Sequence, residues 1–224
     1  MRRVWDRLPA LVRALVPGLI VSGLGLWGFL EILDEVLERD TFERIDQPLL
    51  EWFAEHRTDG LTAVMEGITV LFGPVVLPIL VGVGCLVWWR RSGSWRDPAL
   101  LVGAMIVSTL LSVAIKATVA RPRPAEEFQV VPGQEASFSF PSGHSTGTAT
   151  LVLVAAYLLW RRHRGKRALV AFALGSVALI GLVATTRLYL GYHFLSDVLA
   201  GACLGLFTLG LVISADRWLD LRRE

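Results

Sequence analysis

The stretches KATVARPRP (116–124), PSGH (141–144) and TRLYLGYHFLSD (186–197) interrupt apolar runs long enough to cross a membrane, and their reading decides the fold. An ionisable side chain at the edge of a bilayer costs kilocalories per mole unless it is paired, hydrated or used, so each cluster is a candidate functional site. Working outward, apolar runs over about 98–119 and 168–186 lead into the first and third clusters, and runs over about 142–160 and 193–213 lead out of the second and third. Each is close to the roughly 20 residues a transmembrane helix needs. Two further runs precede them, at about 11–33 and 75–89. The first follows Arg2, Arg3 and Arg7, as a signal peptide would, but no small-x-small cleavage pattern follows Trp27 and Phe29. A retained first helix is therefore expected.

Composition agrees with this reading. The chain has 224 residues, 54% of them hydrophobic, and a mean hydropathy of +0.55, which places it among integral membrane proteins. A net charge of +2 excludes a nucleic-acid-binding electrostatic footprint, and the basic residues sit in short groups beside apolar runs. Cys85 and Cys203 each lie within an apolar run, far from any histidine at ligand spacing, and read as small packing residues.

Between the first two runs, residues 31–59 are acidic and form an extramembrane loop. Within it Asp46 is placed to cap a short helix with Pro48 in its first turn. Leu61, Val64, Met65, Ile68, Leu71 and Phe72 then follow helical spacing, which predicts an interfacial helix over 59–72, broken by Gly73-Pro74. No internal repeat or second domain is visible. The expected architecture is all-α: one domain over 1–224, a bundle of six transmembrane helices with short interfacial helices in the first outer loop, and a motif-bearing core over about 74–213.

Loop charge sets the orientation. The N-terminus, residues 90–96, residues 161–167 and residues 217–223 fall on one side of a six-span path and carry 15 of the 22 Lys and Arg residues. Both termini are thus expected in the cytoplasm. Trp88, Trp89, Trp95, Trp160 and Trp218 fall at the same face, as an aromatic belt would. All three polar clusters then meet on the opposite, non-cytoplasmic side.

Lys116 and Arg123 are seven apart, so on a continuous helix they project from one face toward one anion. Taken alone they also read as snorkelling anchors. Ser142 is a plausible N-cap, Gly143 permits close backbone approach, and His144 lies in the first turn, an arrangement that favours a bound anion but is also met in an ordinary helix start. His193 and Asp197 stand at i, i+4, where a carboxylate can fix the imidazole tautomer, or simply satisfy an interfacial pair. Arg187 adds a third cation. Together three cations and helix N–H groups fit phosphoryl transfer, with one histidine attacking and the other acting as acid. Neither a Cys/His zinc set nor a carboxylate cluster for magnesium accompanies them in the sequence, so a metal-free route is preferred, with no cofactor.

The patterns Lys116-x6-Arg123-Pro124, Pro141-Ser142-Gly143-His144 and Arg187-x5-His193-x3-Asp197 closely resemble the three signatures of the type 2 phosphatidic acid phosphatase superfamily, which includes vanadium haloperoxidases. The resemblance implies that Lys116, Arg123 and Arg187 hold phosphate, assisted by Ser142 and the Gly143 amide. It makes His193 the nucleophile, Asp197 its orienting partner and His144 the acid for the leaving group. Thr186 departs from the serine usual in the family, and tuning of the phosphate pocket is expected from it. Membrane members of the family are similar in having six spans and an outer-face site acting on phosphatidic acid, phosphatidylglycerol phosphate or polyprenyl diphosphates. The resemblance thus implies a bacterial plasma-membrane lipid phosphate or diphosphate phosphatase, with the bilayer and a lipid phosphate as its partners. Alternatives are a phosphotransferase of the same chemistry, a non-catalytic membrane binding protein with a retired site, or a small transporter. A transporter would show broken helices and polar residues near the midplane. A haloperoxidase is disfavoured because those members are soluble.

Overall fold

The computed structural model describes residues 9–38, 42–163 and 165–223. Arg2, Arg3, Arg7 and Arg164, which contribute to the loop-charge argument, lie outside the described residues. Among those described, the elements are α1 (Ala10–Glu38), α2 (Glu43–Glu55), α3 (Asp59–Leu71), α4 (Val76–Ser92), α5 (Arg96–Val119), a 3-10 turn at Glu126–Phe128, α6 (Gly143–His163), α7 (Lys166–Tyr189) and α8 (Leu195–Leu221). Every regular element among the described residues is helical.

Helix α8 is the axis of the bundle, with α1 on one side and α6 on another. Small residues let these backbones approach, as is usual where lipid supplies no hydrophobic drive between helices. A Cβ on Gly210 would lie 2.5 Å from the Gly18 carbonyl oxygen of α1, and one on Gly205 would lie 2.4 Å from Ala149 Cβ of α6. Ser22 Oγ donates to the Phe207 carbonyl at 3.0 Å and closes the α1–α8 contact. Leu77, Val81 and Cys85 of α4 pack with Leu101 and Ala104 of α5, Val154 and Leu158 of α6 and Val212 of α8. Helix α7 instead turns Leu169, Val170, Leu174 and Val177 outward, an apolar face suited to lipid.

Among the described residues four helices, α1, α5, α7 and α8, are long and apolar enough to cross a membrane, or five if α3 and α4, bent by 52° at their break, form one span. The six expected runs differ from this for physical reasons. Helix α4 has 17 residues, about 26 Å of rise against a hydrocarbon core of about 30 Å. Helix α6 is less apolar because Ser145, Thr146, Thr148 and Thr150 face the bundle interior and are buried by protein.

At the end formed by the start of α5 and the close of α6 and α8, the basic residues read as loop charge form a clamp. Arg96 Nη2 lies 2.8 Å from Asp216 Oδ1, Arg162 Nη2 lies 2.7 Å from Asp97 Oδ2, and Arg161 contacts both carboxylates. Tyr157 donates to Asp216 Oδ2 at 2.8 Å. Asp97 and Asp216 are buried, so these pairs tie three helices together opposite the polar clusters.

Candidate active site

At the other end of the bundle a cavity of about 690 Å³ is lined by Lys116, Arg123, Gly143, His144, Arg187 and His193, and by the apolar side chains of Phe72, Val76, Leu77, Met105 and Val113. The structure thus brings residues from all three clusters to one place. Ser142 and Asp197 lie behind its wall.

The route by which Arg123 arrives corrects one expectation. Helix α5 stops at Val119, where Ala120 adopts a left-handed conformation with φ of 48°, so Lys116 and Arg123 do not share a helical face. Prolines at 122 and 124 keep the chain out of the helix, and the loop carries Arg123 back over the site. There its Nε donates to the Ser137 carbonyl at 2.6 Å and its Nη1 to the Tyr192 carbonyl at 2.7 Å. Lys116 Nζ donates to the carbonyl of Ser139 at 3.0 Å and to that of Phe138.

His193 sits in the turn between α7 and α8. Tyr192 N donates to the Arg187 carbonyl at 3.1 Å and Gly191 takes a φ of +76°, a tight turn that precedes His193 where it lines the cavity. Asp197 is the N3 residue of α8 and accepts from Phe194 N at 2.9 Å. The same oxygen, Oδ2, lies 3.2 Å from His193 Nδ1, so the proton belongs on Nδ1 and Nε2 is left facing the cavity. Burial pushes the His193 imidazole down to about 4, opposed by its bond to Asp197, so it is neutral at pH 7. Helix α6 begins at Gly143 with Ser142 before it. Ser142 N donates to the Asp197 carbonyl at 3.0 Å and locks the two helix starts together. The Ser142 hydroxyl accepts from Ser145 N at 3.4 Å, acting as a cap behind the wall, while the Gly143 backbone is exposed.

Glu135 was not singled out by its sequence. Its Oε2 lies 2.7 Å from Arg123 Nη2 and 4.0 Å from His193 Nε2, and its Oε1 accepts from Arg187 Nη2. Burial pushes its carboxyl up, but Arg187, His193 and Arg123 outweigh that and hold it at about 2. An anion therefore already lies between two arginines beside the imidazole. Arg187, 1% exposed, is braced by Thr69 Oγ1 at 2.8 Å and by the Tyr192 ring 4.8 Å away.

Three more residues carry no motif signal. Ser139 Oγ donates to Asp197 Oδ2 and lies 3.3 Å from His193 Nδ1. Arg121 Nη1 donates to Asp197 Oδ1 at 2.7 Å, and Asp46 accepts from Arg121 Nη2 at 3.0 Å. Asp46 lies inside α2, which begins at Glu43, so it does not cap that helix as its sequence position suggested. Arg121 stood in plain view within the first cluster, but its neighbour Arg123 fitted the spacing. Thr186 differs from expectation too: its hydroxyl donates to the Val183 carbonyl at 2.7 Å and does not line the cavity. Among the described residues no group of three or more His, Cys, Asp or Glu side chains is arranged to hold a metal ion.

The family model of the PAP2 superfamily matches residues 97–220. Phosphatidylglycerophosphatase B of Bacillus subtilis is 32% identical over 204 residues, covering 90% of this chain and 98% of that protein. Decaprenylphosphoryl-5-phosphoribose phosphatase of Mycobacterium tuberculosis is 34% identical over 139 residues, 61% of this chain and 69% of that one. A crystal structure of a transmembrane PAP2-type phosphatidylglycerolphosphate phosphatase from Bacillus subtilis matches with a TM-score of 0.76 and 30% identity over 88% of this chain and 97% of that chain. The chain belongs to the PAP2 superfamily.

Proposed function

We propose that the protein removes phosphate from a lipid phosphate or diphosphate at the non-cytoplasmic face of a bacterial plasma membrane, through a phosphohistidine at His193 and without a metal ion. Its broader class, a phosphoric monoester hydrolase acting on lipids in a membrane, follows from the family and from relatives that are lipid phosphatases. The observation that carries the finer reading is the anion position between Arg123 and Arg187, where Glu135 Oε2 lies 4.0 Å from His193 Nε2.

In this reading a phosphoryl group displaces Glu135 and is held by Arg123, Arg187, Lys116 and the Gly143 amide. These fixed charges stabilise the transition state. The Nε2 lone pair of His193 attacks phosphorus, the bond to the lipid oxygen breaks, and His144 supplies the proton that oxygen needs. Water then attacks the N–P bond with His144 taking its proton, and inorganic phosphate leaves. Asp197 holds the Nδ1 proton throughout, which keeps Nε2 nucleophilic. The apolar wall formed by Leu77, Met105 and Val113 suits a lipid chain beside the headgroup site. Six spans, α1 and α4–α8, with both termini cytoplasmic, complete the proposal.

The test is phosphate release by purified protein in detergent with chelator present, across phosphatidic acid, phosphatidylglycerol phosphate and undecaprenyl diphosphate. His193→Ala is expected to abolish release while the protein stays folded. Substantial residual activity in that variant would overturn the nucleophile assignment.

A further inference from the structure

The cluster behind His193 extends well past the residues that line the cavity. Asp197 divides its oxygens between two sets of donors: Oδ2 takes His193 Nδ1, Ser139 Oγ and Phe194 N, whereas Oδ1 takes Arg121 Nη1 at 2.7 Å. Arg121 also donates to Ser196 Oγ at 2.7 Å, and its guanidinium lies 4.4 Å from the centre of the Phe194 ring. Behind it stands Asp46, only 3% exposed, whose Oδ2 accepts from Arg121 and from Ser196 Oγ, and whose Oδ1 accepts from Ser196 N at 3.0 Å. The result is an alternating row of charges, Asp46, Arg121, Asp197, His193, that begins on the outer helix α2 and ends at the reacting imidazole. A second carboxylate buried there serves no bond to substrate, since neither Asp46 nor Arg121 borders the cavity.

We propose that Arg121 and Asp46 are positioning residues: Arg121 holds and partly neutralises Asp197, Asp46 tempers Arg121, and the pair thereby sets the orientation and basicity of His193. This rests on the phosphohistidine reading for its catalytic consequence, but the electrostatic coupling stands apart from it. An uncompensated Asp197 draws the proton onto His193 more strongly, while an uncompensated Arg121 drives it off. Removing the two partners therefore shifts the imidazole in opposite directions. At the separations of such a row each change is on the order of one pH unit. The other titratable or charged groups around His193 are Arg123 and Glu135 from the loops, Arg187 from α7, and His144 from α6 and Lys116 from α5, which line the same cavity, and all remain in place in the variants below.

The experiment is a nuclear magnetic resonance titration of histidine-labelled full-length protein in detergent, with the His193 signal assigned by its loss in His193→Ala. Arg121→Gln is expected to raise the His193 titration midpoint by about one unit, and adding Asp46→Asn in that background to bring it part of the way back. Asp46→Asn alone moves it down. In turnover, Arg121→Gln lowers kcat by about 10- to 100-fold, the size typical for outer partners of a functional histidine, with KM within about threefold because neither residue touches lipid. Shifts of the same sign in both single variants, or an unmoved midpoint, overturn the proposal and leave a mechanical brace. If Arg121→Gln does not fold, an unmoved midpoint in Asp46→Asn alone does the same. Failure of the phosphohistidine reading would be recognised separately, by activity that survives His193→Ala while the titration shifts are still seen.

Discussion

Replacing Glu135 with Gln tests whether its carboxylate occupies the place of the substrate phosphate. The carboxyl is held at about 2, against an ordinary value of 4.5, by Arg187, His193 and Arg123 despite its burial. At 1.36 kcal/mol per unit this corresponds to about 3 kcal/mol of favourable interaction for the ionised form. The side chain is 24% exposed, so screening takes only a modest share. An anion that must displace the carboxylate forfeits most of that energy, and Glu135→Gln should tighten competitive inhibition by vanadate by about 10- to 100-fold. A second effect has the opposite sign. Arg187 is left buried with no carboxylate, so the ligand-free variant should unfold at lower temperature and be restored by millimolar phosphate. The sign with pH also follows, because a depressed carboxyl contributes stability that is whole above about pH 4.5 and lost as pH falls toward 2. The assays are vanadate inhibition of phosphate release and thermal unfolding in detergent with and without phosphate. Unchanged or weaker inhibition by vanadate would refute the idea that the carboxylate stands at the phosphate position.

Two other outcomes follow from the geometry. Burial holds His193 at about 4, below its ordinary 6.5, so the imidazole remains neutral as pH falls through that window and the acidic limb of kcat/KM should lie well below 6.5. The unfolded chain takes up that proton from pH 6.5 downward, so stability is whole above 6.5 and declines on acidification toward 4. A limb centred at the ordinary value would contradict the buried, Asp197-bonded geometry. At the opposite end, Asp216→Ala strips Arg96, Arg161 and Tyr157 of a buried partner and should cost about 3–5 kcal/mol in unfolding experiments. KM of the folded fraction should be unchanged, and a changed KM would show that the clamp communicates with the cavity.

Much of the fold was legible because its signals are local. Runs of apolar residues near bilayer length mark helices whatever they pack against, and the break at Gly73-Pro74 stands where α3 and α4 meet at 52°. The spacing of His193 and Asp197 survives because the two lie only four positions apart and Asp197 is in the first turn of α8. Local spacing misled where the chain left the helix: the seven residues from Lys116 to Arg123 imply one face only if α5 continues, and it ends at Val119. Likewise the low hydropathy of α6 reflects burial by α8 and α7 that no window of its own residues reveals.

By itself the sequence determined which segments are helical and apolar, and which few side chains could carry phosphoryl chemistry, because period, length and motif spacing are properties of neighbouring residues. Only the tertiary structure decided that Glu135 bridges two arginines, and that Asp46 reaches Ser196 across 150 positions while Arg121 reaches Asp197 across 76. Such pairings depend on where loops return after crossing the bundle. A buried charge left without a partner is penalised heavily, so only arrangements in which these charges meet are tolerated, a condition set by three-dimensional proximity alone.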